Sequence, residues 1–182
     1  MLQNRDMPEM RLTIRPTRLD EAPALPPVER SAATAFLDLP DLAWVATDDT
    51  LTAEVHRHFI ELGGSWVAMA DDRIVGFACA ERYDDDLHLW ELAVERTWQG
   101  RGTGTALVRV LVEHAQQRRL RRVTLTTFRD VPWNEAFYRR LGFRVLAREQ
   151  LDHRLAYVLD LEARQGLPLE RRCAMELLLA PG

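Results

Sequence analysis

Trp90–Gln117, WELAVERTWQGRGTGTALVRVLVEHAQQ, begins as an apolar strand-like run and ends as an amphipathic helix, with glycines at 100, 102 and 104 marking the join. A β-branched run, RVTLTTF at Arg122–Phe128, follows the helix. Strand, helix and strand in that order make a crossover, which obliges the two strands to run parallel in one sheet. Leu107, Val108, Leu111, Val112 and Ala115 fall on one stripe of the helix and must be covered by that sheet. Glycine weakens a helix by roughly 1 kcal/mol relative to alanine, so three of them at a helix start mark a place that needs bare backbone. Unpaired amide N–H groups converge at such a start, and the helix dipole adds partial positive charge, which together make an anion site.

The remaining chain supplies strands and short helices around this unit. RLTIRP alternates apolar and polar residues as a first strand, and Pro23, Pro26 and Pro27 are expected to break the helical segment after it. Val55, Phe59 and Leu62 repeat at helical spacing before Gly63 and Gly64 end that helix. SWVAMA, DDR and IVGFACAERY read as a hairpin, Asp84–Asp86 turn the chain again, and Leu87–Val94 form the strand before the glycines. Beyond the crossover, NEAFYRRLG reads as a short helix closed by Gly142, FRVLARE as a strand, Asp152 as the N-cap of a further helix, and RCAMELLL as the closing strand. A mixed α/β fold is expected, one domain over residues 11–180 behind an extension at 1–10.

Composition narrows the function classes. Hydrophobic residues make up 47% of the 182, which suits a globular core, and a net charge of -4 gives no basic field to recruit nucleic acid. All 24 basic residues apart from histidine are arginine. The two cysteines, Cys79 and Cys173, sit in apolar strand-like runs and read as buried free thiols. Without a signal-like or membrane-spanning run, a cytoplasmic protein with no membrane partner is expected. His56 and His58 diverge on their helix, so no metal site is expected there, and Arg118–Arg122 read as a solvated helix end. The apolar last strand leaves homodimer formation open.

The glycine pattern is neither a dinucleotide fingerprint, whose third glycine would fall on Thr105 or Leu107, nor a P-loop, which needs the absent lysine. What remains is Q-x-x-G-x-G at Gln99–Gly104, within WQGRGTG, five residues after a strand ending LAV. This resembles the pyrophosphate loop of the GNAT superfamily of acyl-CoA N-acyltransferases. NEAFYRRLGF, Asn134–Phe143, looks like that family's later helix and strand, and the likeness covers about two thirds of the chain. The segment between the last two strands is longer than the family pattern. The resemblance implies a mostly antiparallel sheet whose parallel pair splays to admit acyl-CoA. Pantetheine would lie between Leu92–Val94 and Thr126–Phe128, paired to the backbone of Leu92, Ala93 and Val94. The diphosphate would rest on Gln99, Gly100, Arg101, Gly102, Thr103 and Gly104, with Asn134 and Phe137 also flanking the cofactor.

Acetyl transfer to an amine needs a neutral amine, a stabilised oxyanion and a proton for the leaving thiolate. Asn134 and Tyr138 share one face of their helix; Phe137 occupies the neighbouring face. With a phenol pKa near 10 against a thiol near 8.5, tyrosine keeps its proton at neutral pH and can offer it to the thiolate. By resemblance Tyr138 is the general acid; by spacing alone it is equally a packing partner of Phe137, and Asn134 equally an N-cap. His88 and Glu91 are rival bases on opposite faces of a regular strand: His88 by its ordinary imidazole pKa, Glu91 by its nearness to the slot. Backbone N–H near Leu92 and Ala93 would meet the oxyanion. The expected activity is direct transfer from acetyl-CoA to a primary amine of a small molecule or peptide, without metal. An acyl-CoA-binding sensor without chemistry and an ATP- or NAD-binding protein are the rivals.

Overall fold

The computed structural model describes residues 12–180; the extension at 1–10 lies outside them. Seven strands are present: β1 (Leu12–Pro16), β2 (Ser65–Ala70), β3 (Arg73–Tyr83), β4 (Asp86–Val94), β5 (Arg122–Phe128), β6 (Arg144–Val145) and β7 (Arg172–Leu178). They form one mixed sheet in the order β1-β2-β3-β4-β5-β7-β6. The helices are α1 (Leu25–Ala33), α2 (Ala53–Glu61), α3 (Thr103–Gln117), α4 (Glu135–Arg140) and α5 (His153–Arg164). Two compact units divide the chain, one holding residues to Cys79 with Leu92–Val108, the other Ala80–Glu91 with the residues from Arg109 onward.

In the first unit β1, β2 and β3 are antiparallel neighbours, and every residue of β2 is buried, so this strand is covered on both faces. The β2–β3 register shifts between Ala68 and Met69, where Gly76 and Ile74 are the successive partners. Val75 is thus the extra residue of a bulge, and its carbonyl accepts from Glu95 N–H at 2.9 Å. Beside it, a Cβ on Gly76 would stand 3.0 Å from the Ala93 carbonyl oxygen, so a glycine lets β3 approach the end of β4. Thr52 caps α2, its side chain accepting from Val55 N–H. The prolines behave differently from expectation. Pro23 sits inside a 3-10 turn at Leu19–Ala24, and Pro26 and Pro27 open α1 instead of breaking it, because the first helical turn needs no N–H partner there.

The second unit contains the parallel ladder, Asp86–Leu89 against Arg122–Leu125, and the antiparallel pairing of β5 with β7 along the whole of β5. The parallel register ends at Leu89 and Leu125, while β5 continues to Phe128. The strand expected over FRVLARE shrinks to Arg144–Val145, because Leu146 turns inward and Arg148–Gln150 form a 3-10 turn. β7 lies between β5, which pairs along its length, and the two-residue β6, which meets only Met175 and Glu176. Asp152 caps α5 by accepting from Leu155 N–H at 2.8 Å, and Leu155 and Leu159 pack with Leu146 and Ala174. Cys79 and Cys173 are buried, and no disulfide joins them.

Candidate active site

The glycine turn is shaped by its backbone. Gly100 and Gly102 have φ of 74° and 85°, left-handed values that disfavour any side chain, and nothing lies within 4 Å of where a Cβ would stand on either. Conformation and open space, not crowding by protein, are what these two glycines serve. Thr103 opens α3 with its hydroxyl buried and without a hydrogen-bond partner. An orphaned hydroxyl beside converging amides at the start of a 15-residue helix suits the oxygens of a diphosphate. Gln99 differs from the others. Its amide nitrogen donates to the carbonyls of Val94 at 3.0 Å and Ala32 at 3.3 Å, and its oxygen accepts from Arg96 at 3.1 Å. That side chain pins the turn to the strand end, leaving its backbone for a ligand. Arg101 is exposed and stacks over Trp98 at 5.2 Å, a cation held at the turn.

In the second unit Tyr138 is buried, with its ring edge-on to Phe137 and Phe143 at 5.0 and 5.6 Å. Burial pushes its phenol pKa well above the usual value, and the negative charge of Glu91 adds to the rise. Tyr138 therefore holds its proton, and Glu91 is its electrostatic neighbour. Trp90, Glu91 and Leu92 are all partly buried, without the strict alternation of a regular strand. Asn134 occupies the N-cap position of α4, where its carbonyl accepts from Tyr138 N–H at 3.1 Å, but its side chain makes no capping bond.

His88 stands apart from this pair. It is fully buried, and its Nδ1 lies 2.9 Å from the Thr124 hydroxyl, which also accepts from Arg154 at 3.2 Å. Burial, reinforced by the Arg154 charge, pushes its pKa down to about 3. The expectation of an ordinary imidazole titrating near neutrality is thus corrected: the ring is neutral and weakly basic. Arg154 can only donate, so the Thr124 hydroxyl that accepts from it uses its own hydrogen best on His88 Nδ1. The histidine proton then sits on Nε2, which has no partner.

Below His88 lies a buried ion-pair network that reading the chain did not reveal. Arg122 donates to Asp86 and Glu176 at 2.8 Å each and also to Asp152, while Arg121 reaches Asp86 at 3.0 Å, Arg154 lies 3.6 Å from it, and Arg144 reaches Glu176. Burial would lower the Arg122 pKa, but Asp86 and Glu176 outweigh it and hold it up. A second set joins Glu162 of α5 to Thr126 and to Arg172, whose guanidinium covers Phe128 at 4.7 Å. The signal was available in RVTLTTF, where Arg122, Thr124 and Thr126 alternate with Val123 and Leu125: this strand has a polar face that needed a cover, and α5 is that cover. Among the described residues no cluster of histidine, cysteine and carboxylate side chains could hold a metal ion, and no helix is long and apolar enough to cross a membrane.

Comparisons with known proteins bear on the family and the fold. The chain is 29% identical over 96 residues to N-acetylaspartate synthetase from Rattus norvegicus, a match spanning 50% of this chain and 32% of that protein. It is 28% identical over 120 residues to L-2,4-diaminobutyric acid acetyltransferase from Nocardia farcinica, spanning 58% of this chain and 62% of that one. It thus covers about a third of the first relative's length and under two thirds of the second's. The PaiA N-acetyltransferase from Thermoplasma acidophilum, solved in complex with coenzyme A, superposes with a TM-score of 0.67 at 16% identity, covering 93% of this chain and 100% of that one. At that identity the likeness concerns the fold. The model of the acetyltransferase (GNAT) family matches residues 33–143, from the last residue of α1 through the glycine turn to just past α4, and the chain belongs to that family.

Proposed function

We propose that the protein moves an acetyl group directly from acetyl-CoA to a primary amine of a small molecule or peptide, in a ternary complex and without metal. The observation that carries this reading is the glycine turn at the head of α3, where Gly100 and Gly102 stand open and the Thr103 hydroxyl is buried without a partner. The backbone of Gln99–Gly104 holds the diphosphate, with Arg101 adding charge. Leu92, Ala93 and Val94 offer backbone to pantetheine, the N–H groups of Leu92 and Ala93 meet the oxyanion, and Asn134 and Phe137 flank the thioester. We take residues 11–180 as one catalytic domain in the cytoplasm, a setting consistent with two buried cysteines that form no disulfide.

The amine nitrogen attacks the thioester carbon, the carbon–sulfur bond breaks, and the thiolate receives a proton. Tyr138 is kept protonated by burial, so its O–H is available as a donor to the departing sulfur. The raised pKa makes the phenol a weaker acid, so the negative charge growing on the sulfur must draw the proton across. Glu91 takes the amine proton through water. His88, neutral and engaged by Thr124, is the weaker base of the two.

Free-thiol release from acetyl-CoA across a panel of amines tests the reading. Tyr138→Phe should lower kcat by about 10²- to 10⁴-fold with acetyl-CoA affinity little changed, and Glu91→Gln should cut turnover more than His88→Gln at saturating substrate. Tight coenzyme A binding with no thiol release on any amine would instead favour a non-catalytic acyl-CoA sensor.

A further inference from the structure

His88 Nε2, Trp90 Nε1 and Arg154 Nη1 are buried, and none has a hydrogen-bond partner. They belong to one cluster in the second unit. The His88 and Trp90 rings lie 4.6 Å apart, Arg154 shares the Thr124 hydroxyl with His88, and its guanidinium covers Tyr83 at 4.7 Å. The Trp90 indole N–H is near the Tyr83 hydroxyl, but that hydroxyl donates to Glu81 at 2.6 Å, and no bond of proper geometry joins the two. All three orphaned atoms are donors, given the histidine tautomer that Thr124 selects. Each such atom in a folded interior costs free energy until it meets an acceptor.

The missing acceptor is anionic. Arg121, Arg122, Arg144 and Arg154 are ion-paired with only Asp86, Asp152 and Glu176, an excess of one positive charge in the network. Asp86, the carboxylate beside Arg154, is already bonded by Arg121 and Arg122. A water has two lone pairs and could accept from only two of the three donors. A doubly charged phosphate would exceed the single spare charge, whereas a carboxylate matches it and has lone pairs for all three donors. The donors also sit at a useful distance: Trp90 and His88 precede Glu91 by one and three residues on β4, or about 3 to 10 Å along a strand, the reach of an amino acid from its carboxylate to its amine.

We infer that His88, Trp90 and Arg154 bind the carboxylate of the acceptor, so that the amine substrate is an amino acid or an amine of that type carrying a free carboxylate. This rests on the acetyltransferase reading for the fate of the amine, but the carboxylate site itself does not. Arg154 comes from α5, between the last two strands β6 and β7.

The test uses the protein amino acids, each beside its carboxamide and its decarboxylated amine, in thiol-release assays and in calorimetry on the full chain saturated with coenzyme A. At least one free acid should bind about 100-fold more tightly than its carboxamide. Arg154→Gln should raise the KM for that acid about 100-fold, leaving the KM values for acetyl-CoA and for the carboxamide unmoved. Trp90→Phe, which deletes one N–H with little change in packing, should raise it about tenfold and guards against misfolding of the arginine variant. Equal binding of acid and carboxamide, no binding of any acid, or an equal effect of both variants on all three compound types overturns the inference. If carboxylate-free amines are acetylated without preference, the carboxylate site falls and the acetyltransferase reading stands. If acids bind with the expected preference but no amine releases thiol, the site stands and the reading falls.

Discussion

The glycine turn and the polar layer under α5 present hydrogen-bond donors by opposite means. At Gln99–Gly104 the donors are main-chain amides, side chains are absent at Gly100 and Gly102, and the one long polar side chain, Gln99, is spent on fixing the turn. At His88, Thr124, Arg122 and Arg154 the donors are side chains drawn from β4, β5 and α5, each held by a partner distant in the chain. A backbone site depends on local conformation and tolerates almost any neighbouring chemistry. A side-chain site depends on long-range packing, and every member removed leaves another uncompensated.

The strongest contrast comes from Arg122→Met. Removing that buried cation strands Asp86, Glu176 and Asp152, and should cost about 3–5 kcal/mol in urea denaturation. A loss below about 1 kcal/mol would mean that the layer contributes little to stability. Gly102→Val acts on the other region: a β-branched residue at φ 85° should cost roughly 1–2 kcal/mol of stability and weaken coenzyme A binding about 100-fold in calorimetry. Unchanged affinity would detach the turn from cofactor binding.

Acid should affect both units through their buried histidines. His88 in the second unit has its pKa lowered to about 3, and His56 in the first, edge-on to Phe77, to about 4, both by burial. A folded-state pKa below the unfolded 6.5 means that the unfolded chain binds more protons in between, so stability is full above pH 6.5 and declines as pH falls. At pH 5 each histidine should cost about 2 kcal/mol, visible as a falling Tm between pH 7 and 5. His88→Gln and His56→Gln should each flatten that slope, and a Tm independent of pH would contradict both. The smallest effect is expected of Arg101→Ala: an exposed cation contributes at most about 1 kcal/mol, so coenzyme A affinity should fall a few-fold, and less so in high salt.

The same contrast explains what the amino-acid sequence discloses. β4, α3 and β5 lie within a residue or so of their expected spans, because apolar periodicity and glycine punctuation are local signals. Asp152 caps the helix it precedes for the same reason. The fate of Pro26 and Pro27 turned on which helical turn they occupy, one residue in either direction separating a helix start from a break. Gly76 was hidden in an apolar run, because its reason is the Ala93 carbonyl of another strand. At the candidate site the turn and the Tyr138 helix were legible as motifs. The burial of His88 was not, since it follows from Thr124 and from Arg154 on a helix whose docking no local pattern specifies.

The central claim is that the main chain of the glycine turn holds the diphosphate of coenzyme A. Calorimetric titration of the full chain with coenzyme A and with pantetheine, which lacks the diphosphate, measures it most directly. The account predicts that coenzyme A binds at least about 100-fold more tightly and that Gly102→Val abolishes most of the difference. Equal affinity for the two compounds, or a preference untouched by Gly102→Val, would contradict it.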